Sequence, residues 1–176
     1  LRKSLLARMM PDEEIINGFK EFEKTKIRIS ANNIIGFPGE SREDIMSTIE
    51  INRQINPDSI IVNAFRPYSG TKLRKICIDK GLIPNEKRAE DNRVYGAFYN
   101  GVLSADELEN IRKVFALYVT FSKSRWDEIR RAETTDKIYR NLMKEYSSKQ
   151  LFNRKNREQI IEAKEVFIND EEAIVV

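Results

Sequence analysis

Residues 36–40, Gly-Phe-Pro-Gly-Glu, form an abrupt corner between an apolar run and a helix that begins at once. A strand that ends in glycines and leads directly into a capped helix brings backbone N–H groups and the positive end of the helix dipole to the carboxyl edge of the sheet. Ligands of α/β proteins bind at that edge. The corner therefore predicts a ligand-binding site. The alternative is that Gly36 and Gly39 serve only to turn the chain.

The strand that precedes the corner, predicted over residues 27–35, has two different faces. Its apolar face carries Ile27, Ile29, Ala31 and Ile35. Its mostly polar face carries Arg28, Ser30, Asn32 and Ile34. A parallel strand is normally covered on both faces, so a polar face indicates a lined cavity. An edge strand with one wet face is an equally good interpretation of this pattern.

The composition excludes several other kinds of chemistry. The sequence has one cysteine, Cys77, and no histidine, which excludes an internal disulfide framework, a multi-cysteine metal site and a histidine general base. Cys77 lies between Ile76 and Ile78 on a predicted helix, and we interpret it as a buried structural thiol. The 31 basic and 28 acidic side chains leave a net charge of +3, which does not indicate a nucleic-acid partner.

Two further patterns bear on location and partners. The basic run KQLFNRKNR at residues 149–157 is better explained as a solvated helix face than as an RNA-binding surface. No apolar run approaches the ~20 residues that a membrane span needs, and the first residues lack the pattern of a signal peptide. We therefore predict a cytoplasmic protein with no membrane partner.

The periodicity predicts elements in the order α-β-α-β-α. The first helix begins at Pro11, and the second follows Ser41, with Asp44 completing a capping box. A second strand is predicted over 59–65 and a short helix over 72–81. Because helices of this length separate the strands, the strands are expected to lie parallel.

Beyond residue 82 the pattern changes to a connection over 83–103 and then to a helical tail. Helices are predicted over 104–123, where Ser104 and Glu107 form a capping box, over 135–146 and over 154–165. Residues 167–176 are predicted to be a terminal strand or a disordered end. We expect three parts: an α/β unit at 1–82, the connection at 83–103 and a helical extension at 104–176.

Two parallel strands make a poor domain on their own. Further strands are expected before Leu1 or from another chain, and the unpaired edges predict self-association. The chain also begins at Leu1 and enters helical sequence at once, which indicates a piece of a longer protein.

The segment NNIIGFPGESREDIMSTIEINRQINPDSIIVNAFRPYSGTKL resembles the later part of the barrel of radical S-adenosylmethionine (SAM) enzymes. In that superfamily an IGLPGET corner is followed by a helix, the letters NPD, a strand and a PYPGT turn. The resemblance covers about residues 2–81 and is most specific at 36–40 together with 67–71. The tail FALYVTFSKSRWDEIRRAE is similar to the helical extension of members that carry an upstream cobalamin-binding domain.

The resemblance implies the carboxyl-terminal βα units of a partial TIM barrel, followed by an α-helical extension. It implies that Asn32 faces the ribose of SAM, that Ile34 faces the adenine and that the end of the next strand also contacts the adenine. The SAM-binding residues so implied are Asn32, Ile34, Gly36, Phe37, Pro38, Gly39, Phe65 and Arg66. No residue of this chain is predicted to be catalytic or to bind a metal.

The sequence departs from the family pattern at three places. Asn32 replaces a glycine of the motif, Glu40 stands one residue later than the motif's acid, and the CxxxCxxC that binds a [4Fe-4S] cluster is absent. The chain alone is therefore expected to be inactive. The cluster and the remaining barrel would come from the amino-terminal part of the same enzyme.

The resemblance also implies what the whole enzyme does. It would cleave SAM reductively, either for hydrogen abstraction by a 5′-deoxyadenosyl radical or for cobalamin-dependent methyl transfer, on an unidentified substrate. Two alternatives remain at this stage: a tRNA-modifying radical SAM enzyme, and a non-catalytic α/β plus helical module for binding or oligomerisation.

Overall fold

The computed structural model of the chain describes residues 5–6, 9–22, 25, 27–84 and 98–150. Its elements are α1 (Asp12–Phe22), β1 (Ser30–Ile35), α2 (Arg42–Ile55), β2 (Ser59–Ala64), α3 (Lys72–Asp79), α4 (Ala105–Thr120), a 3-10 turn (Lys123–Arg125), α5 (Trp126–Ala132) and α6 (136–150). The α/β class is confirmed. The predicted helix over 154–165 and the end at 167–176 lie outside the described residues.

The sheet of the described residues has two strands, and they run parallel as predicted. The register pairs Ser30 with Ser59 and Ile35 with Ala64. β1 begins three residues later than predicted, because the residues before it bond to side chains. The Ile27 N–H donates to Thr25 Oγ1 at 3.2 Å, and the Ile29 N–H donates to Asp58 Oδ2 at 2.8 Å.

Helix α2 has the ends that its sequence predicts. Ser41 and Asp44 form the capping box, in which each side chain accepts a hydrogen bond from the other residue's backbone N–H. The helix stops at Asn56, whose left-handed backbone (φ 41°) is tolerated by asparagine better than by most residues. The following Asp58 bonds to the backbone just before β1, so the end of α2 also positions the first strand.

One face of the sheet is covered by helices, because its alternate residues are apolar. Ile35 packs in a continuous core with Ile45 and Ile49 of α2 and with Leu108 and Phe115 of α4. Helix α1 covers the start of the same face, where Ile16 contacts a cluster that includes Ala31 and Ile55. The helical tail therefore shares its core with the sheet.

A reciprocal amide pair also ties β1 to α2 on this face. Asn33 Nδ2 donates to Asn52 Oδ1 at 3.1 Å, and Asn52 Nδ2 donates to Asn33 Oδ1 at 2.8 Å. Asn52 is buried, and its amide also donates to the Thr48 carbonyl. Each buried amide is thus satisfied, so the pair fixes the position of the strand on the helix.

The opposite face of the sheet is largely uncovered by the described residues. Ile34 is 50% exposed and Ile61 is 47% exposed, and both point to this side between polar neighbours. At the carboxyl edge, Phe37 and Phe65 form a separate cluster with Cys77 of α3. Cys77 is fully buried, as predicted for a structural thiol.

The helical tail is more broken than the sequence predicts. The helix expected over 104–123 ends at Thr120, where Arg53 of α2 donates to the carbonyls of Tyr118, Val119 and Phe121 at 2.6–2.8 Å. A guanidinium at this position satisfies carbonyls that have no partner within the helix. Helix α5, which was not predicted separately, then begins at Trp126.

A buried polar contact connects the helical tail to α2. The guanidinium of Arg42 pairs with the carboxylate of Glu133, and the Tyr118 hydroxyl donates to the same carboxylate at 2.8 Å. Burial and the contact with Glu133 raise the pKa of Tyr118, so its hydroxyl remains a donor at physiological pH.

Part of the predicted connection has a defined structural role. Asn100 is fully buried, and its amide Nδ2 donates to the carbonyls of Phe37 at 3.0 Å and Glu40 at 2.9 Å. Its Oδ1 accepts from the N–H groups of Val102 at 3.0 Å and Leu103 at 2.8 Å. One side chain therefore joins the 36–40 corner to the segment that enters α4.

We expect Asn100→Ala to lower the free energy of unfolding by roughly 3 kcal/mol, because it leaves buried carbonyl and N–H groups without partners. Urea unfolding followed by circular dichroism measures the change. Asn141→Ala, at an exposed position on α6, is the matched control and should change stability by less than about 0.5 kcal/mol. Equal stability of the two variants would show that the corner does not depend on Asn100.

Candidate functional site

A cavity of about 1120 Å³ lies beside β1 and at the carboxyl ends of both strands. Both faces of β1 line it, with Asn32 and Ile34 on the open face and Ala31 and Asn33 on the covered face, and Asn63 lines it from β2. Its volume is slightly above the range typical of small-molecule sites, roughly 300–1,000 Å³. The open face of β1 is exposed and also borders the cavity, so a wet edge and a lined cavity both fit the structure.

The open sheet face alternates amide and apolar side chains. In the parallel register Asn32 lies beside Ile61, and Ile34 lies beside Asn63. The four side chains form a small patch in which each amide has one aliphatic neighbour on its own strand and another on the paired strand. Such a patch suits a flat ligand that has polar atoms at its rim, since the aliphatic groups contact its face and the amides bond to its edge.

Two aromatic rings form the end of this surface. The Phe37 and Phe65 rings are 4.9 Å apart between centroids, and Phe98 lies 6.2 Å from Phe65. Phe37 and Phe65 are both buried and both line the cavity. They are brought together because Phe37 lies two residues after β1 and Phe65 directly follows β2, at the same edge of the sheet.

The side chain of Glu40 stabilises the corner through hydrogen bonds to the backbone of the corner itself. One carboxylate oxygen, Oε2, accepts hydrogen bonds from the N–H groups of Gly36 and of Phe37, the latter at 3.1 Å. Gly36 has a φ of 87° and Gly39 a φ of 82°, and a side chain strains such a backbone. At Gly36 a Cβ would also lie 3.3 Å from Leu108 Cδ1. Glycine is therefore favoured at both positions for conformation and, at Gly36, also for space.

The N–H groups of the corner are thus engaged within the chain. Gly36 and Phe37 donate to Glu40, Gly39 donates to the Asn100 carbonyl at 2.8 Å, and Ser41 donates to Asp44 Oδ2 at 2.9 Å. The expectation that the corner presents these N–H groups to a ligand is therefore wrong.

The structure groups some of the predicted site residues and separates others. Five line the cavity: Asn32, Ile34, Phe37, Phe65 and Arg66. Gly36, Pro38 and Gly39 are not in its lining and act as backbone of the corner. Asn32 and Ile34 share the open face of β1, as their alternation predicts.

Glu40 is the cavity residue whose environment is most unusual. Its side chain is 2% exposed. Burial raises the pKa of its carboxyl from the ordinary 4.5 to about 7, although the two backbone hydrogen bonds act in the opposite direction. Glu40 is therefore close to half protonated at neutral pH.

The described residues do not fit an iron–sulfur cluster or another metal. Among them no group of three or more cysteine, histidine or acidic side chains is placed to hold a metal ion. Cys77 is fully buried in the aromatic cluster, and burial raises the pKa of its thiol. No step of chemistry at a cluster is assigned to these residues.

Comparison with known proteins leaves the family open. No protein-family model matches the chain, and no curated protein matches it. None of the described helices is both long enough and apolar enough to cross a membrane.

Two residues of the corner were not predicted as functional from the sequence. Glu40 stands one residue later than the acid of the family motif, and Asn100 lies in a segment without a clear hydrophobic periodicity. The acid directly after Pro-Gly was the available signal for Glu40, because a carboxylate at that point is within reach of the N–H groups of the turn. Asn100 bonds locally to the N–H groups of Val102 and Leu103. Its partners in the corner are 60 and 63 residues away, so no local signal indicates them.

We expect stability to decrease as the pH rises from about 5 to about 7.5. The pKa of Glu40 is higher in the folded chain than its ordinary value, so the folded state holds the proton that the unfolded state has lost. The contribution is complete below about 4.5, is lost through about 7, and amounts to something on the order of 3 kcal/mol. Thermal unfolding at a series of pH values measures it.

Glu40→Gln should flatten this profile, since glutamine keeps an acceptor for the two N–H groups and does not titrate. Glu43→Gln, which removes an exposed acid from the first turn of α2, should keep the slope. A Glu40→Gln profile as steep as that of the unaltered chain would contradict the assignment.

Proposed function

We propose that the chain supplies part of the SAM-binding wall of a radical SAM enzyme of the type that carries a cobalamin-binding domain. The single observation that carries the proposal is a cavity beside β1 and at the carboxyl ends of both strands of a parallel sheet that has one face covered by helices. In a partial TIM barrel, the inner face of the sheet is expected to border the ligand cavity, and the outer face is expected to be covered by helices. The motif resemblance at 36–40 and 67–71 supports the same fold.

The side chains fit the adenosyl part of SAM. Ile34 and Phe65 would contact the adenine, and Asn32 would bond to the ribose hydroxyls, for which an amide has both donors and an acceptor. Arg66, exposed at the rim, would lie near the adenine edge. When bound beside a reduced iron–sulfur cluster, SAM supplies radical or methyl-transfer chemistry. The residues of this chain bind and orient it.

The remaining parts of the enzyme are proposed to lie outside this chain. The cluster-binding cysteines, further barrel strands and the substrate-determining residues belong to the amino-terminal part of the same enzyme. A βα unit with one sheet face largely uncovered and both sheet edges unpaired by described strands fits a place within a larger barrel, because added strands would pair with those edges.

The adenosyl site can be tested on the chain itself with 5′-methylthioadenosine, a neutral molecule that contains the adenosyl part of SAM. We expect saturable shifts of the Asn32 and Asn63 side-chain amide signals in NMR spectra. Ile34→Asp should weaken binding by at least about tenfold, because it places a carboxylate against the adenine. Since Ile34 is half exposed, this variant should remain folded.

Ile27→Asp is the matched control, because Ile27 is 56% exposed and lies outside the cavity lining. It should bind the probe as the unaltered chain does. Ile35→Asp, at a buried position on the covered face, should instead lower the thermal midpoint. Unchanged binding by Ile34→Asp in a folded chain would overturn the proposed site.

A second candidate function is a binding or oligomerisation module, and the exposure of Ile34 and Ile61 beside open strand edges favours it. If it is correct, light scattering should show self-association that increases with concentration at micromolar levels. Ile61→Lys should weaken this association, and Ile27→Lys should not. A monomer at every concentration would exclude self-association through this face.

A further inference from the structure

Four asparagines line the cavity, and their side-chain amides have two different kinds of surroundings. Asn33 and Asn52 bond to each other, at 3.1 Å and 2.8 Å. The amides of Asn32 and Asn63 make no hydrogen bond to any described residue, and both residues are exposed on the open face of the sheet. Each of these two amides therefore offers donors and an acceptor to a ligand that lies on that face.

Asn63 lies between the two residues that are proposed to contact the adenine. The register places Ile34 directly beside it on β1, roughly 4.8 Å away across the sheet. Phe65 is two residues further along, and its N–H donates to the Ile35 carbonyl at 2.7 Å. The strand alternation thus continues to Phe65, which falls on the same side as Asn63. A flat base that contacts Ile34 and Phe65 therefore has the Asn63 amide at its edge.

Asn32 occupies a different position on the same face. It lies beside Ile61 and two residues before Ile34, so it is diagonal to Asn63. The strand spacing and the rise per residue put the two backbones roughly 8 Å apart at these positions. Two groups of one adenosyl ligand can span this distance. If Asn32 bonds to the ribose, Asn63 is the free amide that is left for the base.

We propose that Asn63 selects adenine, with its Oδ1 accepting a hydrogen bond from the N6 amino group and its Nδ2 donating to the neighbouring ring nitrogen. Asparagine recognises adenine in DNA by the same kind of paired hydrogen bonds. The inference rests on the proposed SAM site and adds to it a residue that the family resemblance does not imply. Asn63 would distinguish adenine from purines that lack the amino group.

The experiment compares 5′-methylthioadenosine with the 5′-methylthio derivative of purine riboside, which differs only in lacking the N6 amino group. Calorimetric titration gives the Kd of each compound. We expect the unaltered chain to prefer methylthioadenosine by about fivefold, the contribution of one neutral hydrogen bond. Asn63→Ala should abolish this preference. Because Asn63 is exposed, the variant should remain folded.

Asn32→Ala is the matched control, because it removes the other free amide from the same face. It should weaken both compounds by the same factor, since both contain the ribose, and it should keep the preference. A measurement without any substitution gives a second test. In NMR spectra, the Asn63 side-chain amide signals should shift more with methylthioadenosine than with the purine riboside derivative, while those of Asn32 should shift equally with both.

The possible results separate this inference from the proposed site. If the unaltered chain binds both compounds equally, or if Asn63→Ala keeps the full preference, the inference is overturned and the adenosyl site stands. Loss of the preference in Asn32→Ala alone would also overturn it, because the base would then be read by the other amide. If neither compound binds, both proposals fall.

Discussion

Two buried polar side chains, Glu40 and Asn100, hold the corner at 36–40, and the position of the cavity depends on them. Glu40 accepts from the first N–H groups after β1, while Asn100 donates to carbonyls within the same turn. Their hydrogen bonds replace those that a turn exposed to water would make, so the corner can be buried at low cost. The end of β1 and the start of α2 are thereby fixed relative to each other.

The sheet follows from that constraint. With α2 held against β1 by the corner at one end and by the Asn33–Asn52 pair along its length, the apolar residues of β1 must face the helices. The alternate residues then face the open side, where the described chain provides no layer to cover them. An open face of this kind is both the wall of a ligand site and a surface that another part of a protein can cover.

The elements with local signals were predicted well from the sequence. Both strands and their parallel direction, both capping boxes and the buried state of Cys77 follow from short-range patterns such as alternation and Ser-x-x-acid spacing. The break of the tail after Thr120 was missed, because Arg53 reaches these carbonyls from another helix. Tertiary contacts of this kind have no periodicity to detect.

The same distinction applies to the candidate site. The shared facing of Asn32 and Ile34 could be predicted, since strand alternation fixes it. The engagement of the corner N–H groups could not, because it depends on where the Glu40 carboxylate and the Asn100 backbone come to lie in three dimensions. The sequence thus predicted which residues line the site better than it predicted which atoms are available there.

The distance along the chain between the corner and Asn100 has a consequence for folding kinetics. The segment from residue 37 to residue 100 must close into a large loop before Asn100 can bond to Phe37, and closing such a loop costs entropy that local helix formation does not. The capped helices α2 and α4 can form early from short-range contacts. The corner then reaches its final geometry late, so the wall of the cavity is among the last features of the molecule to become rigid.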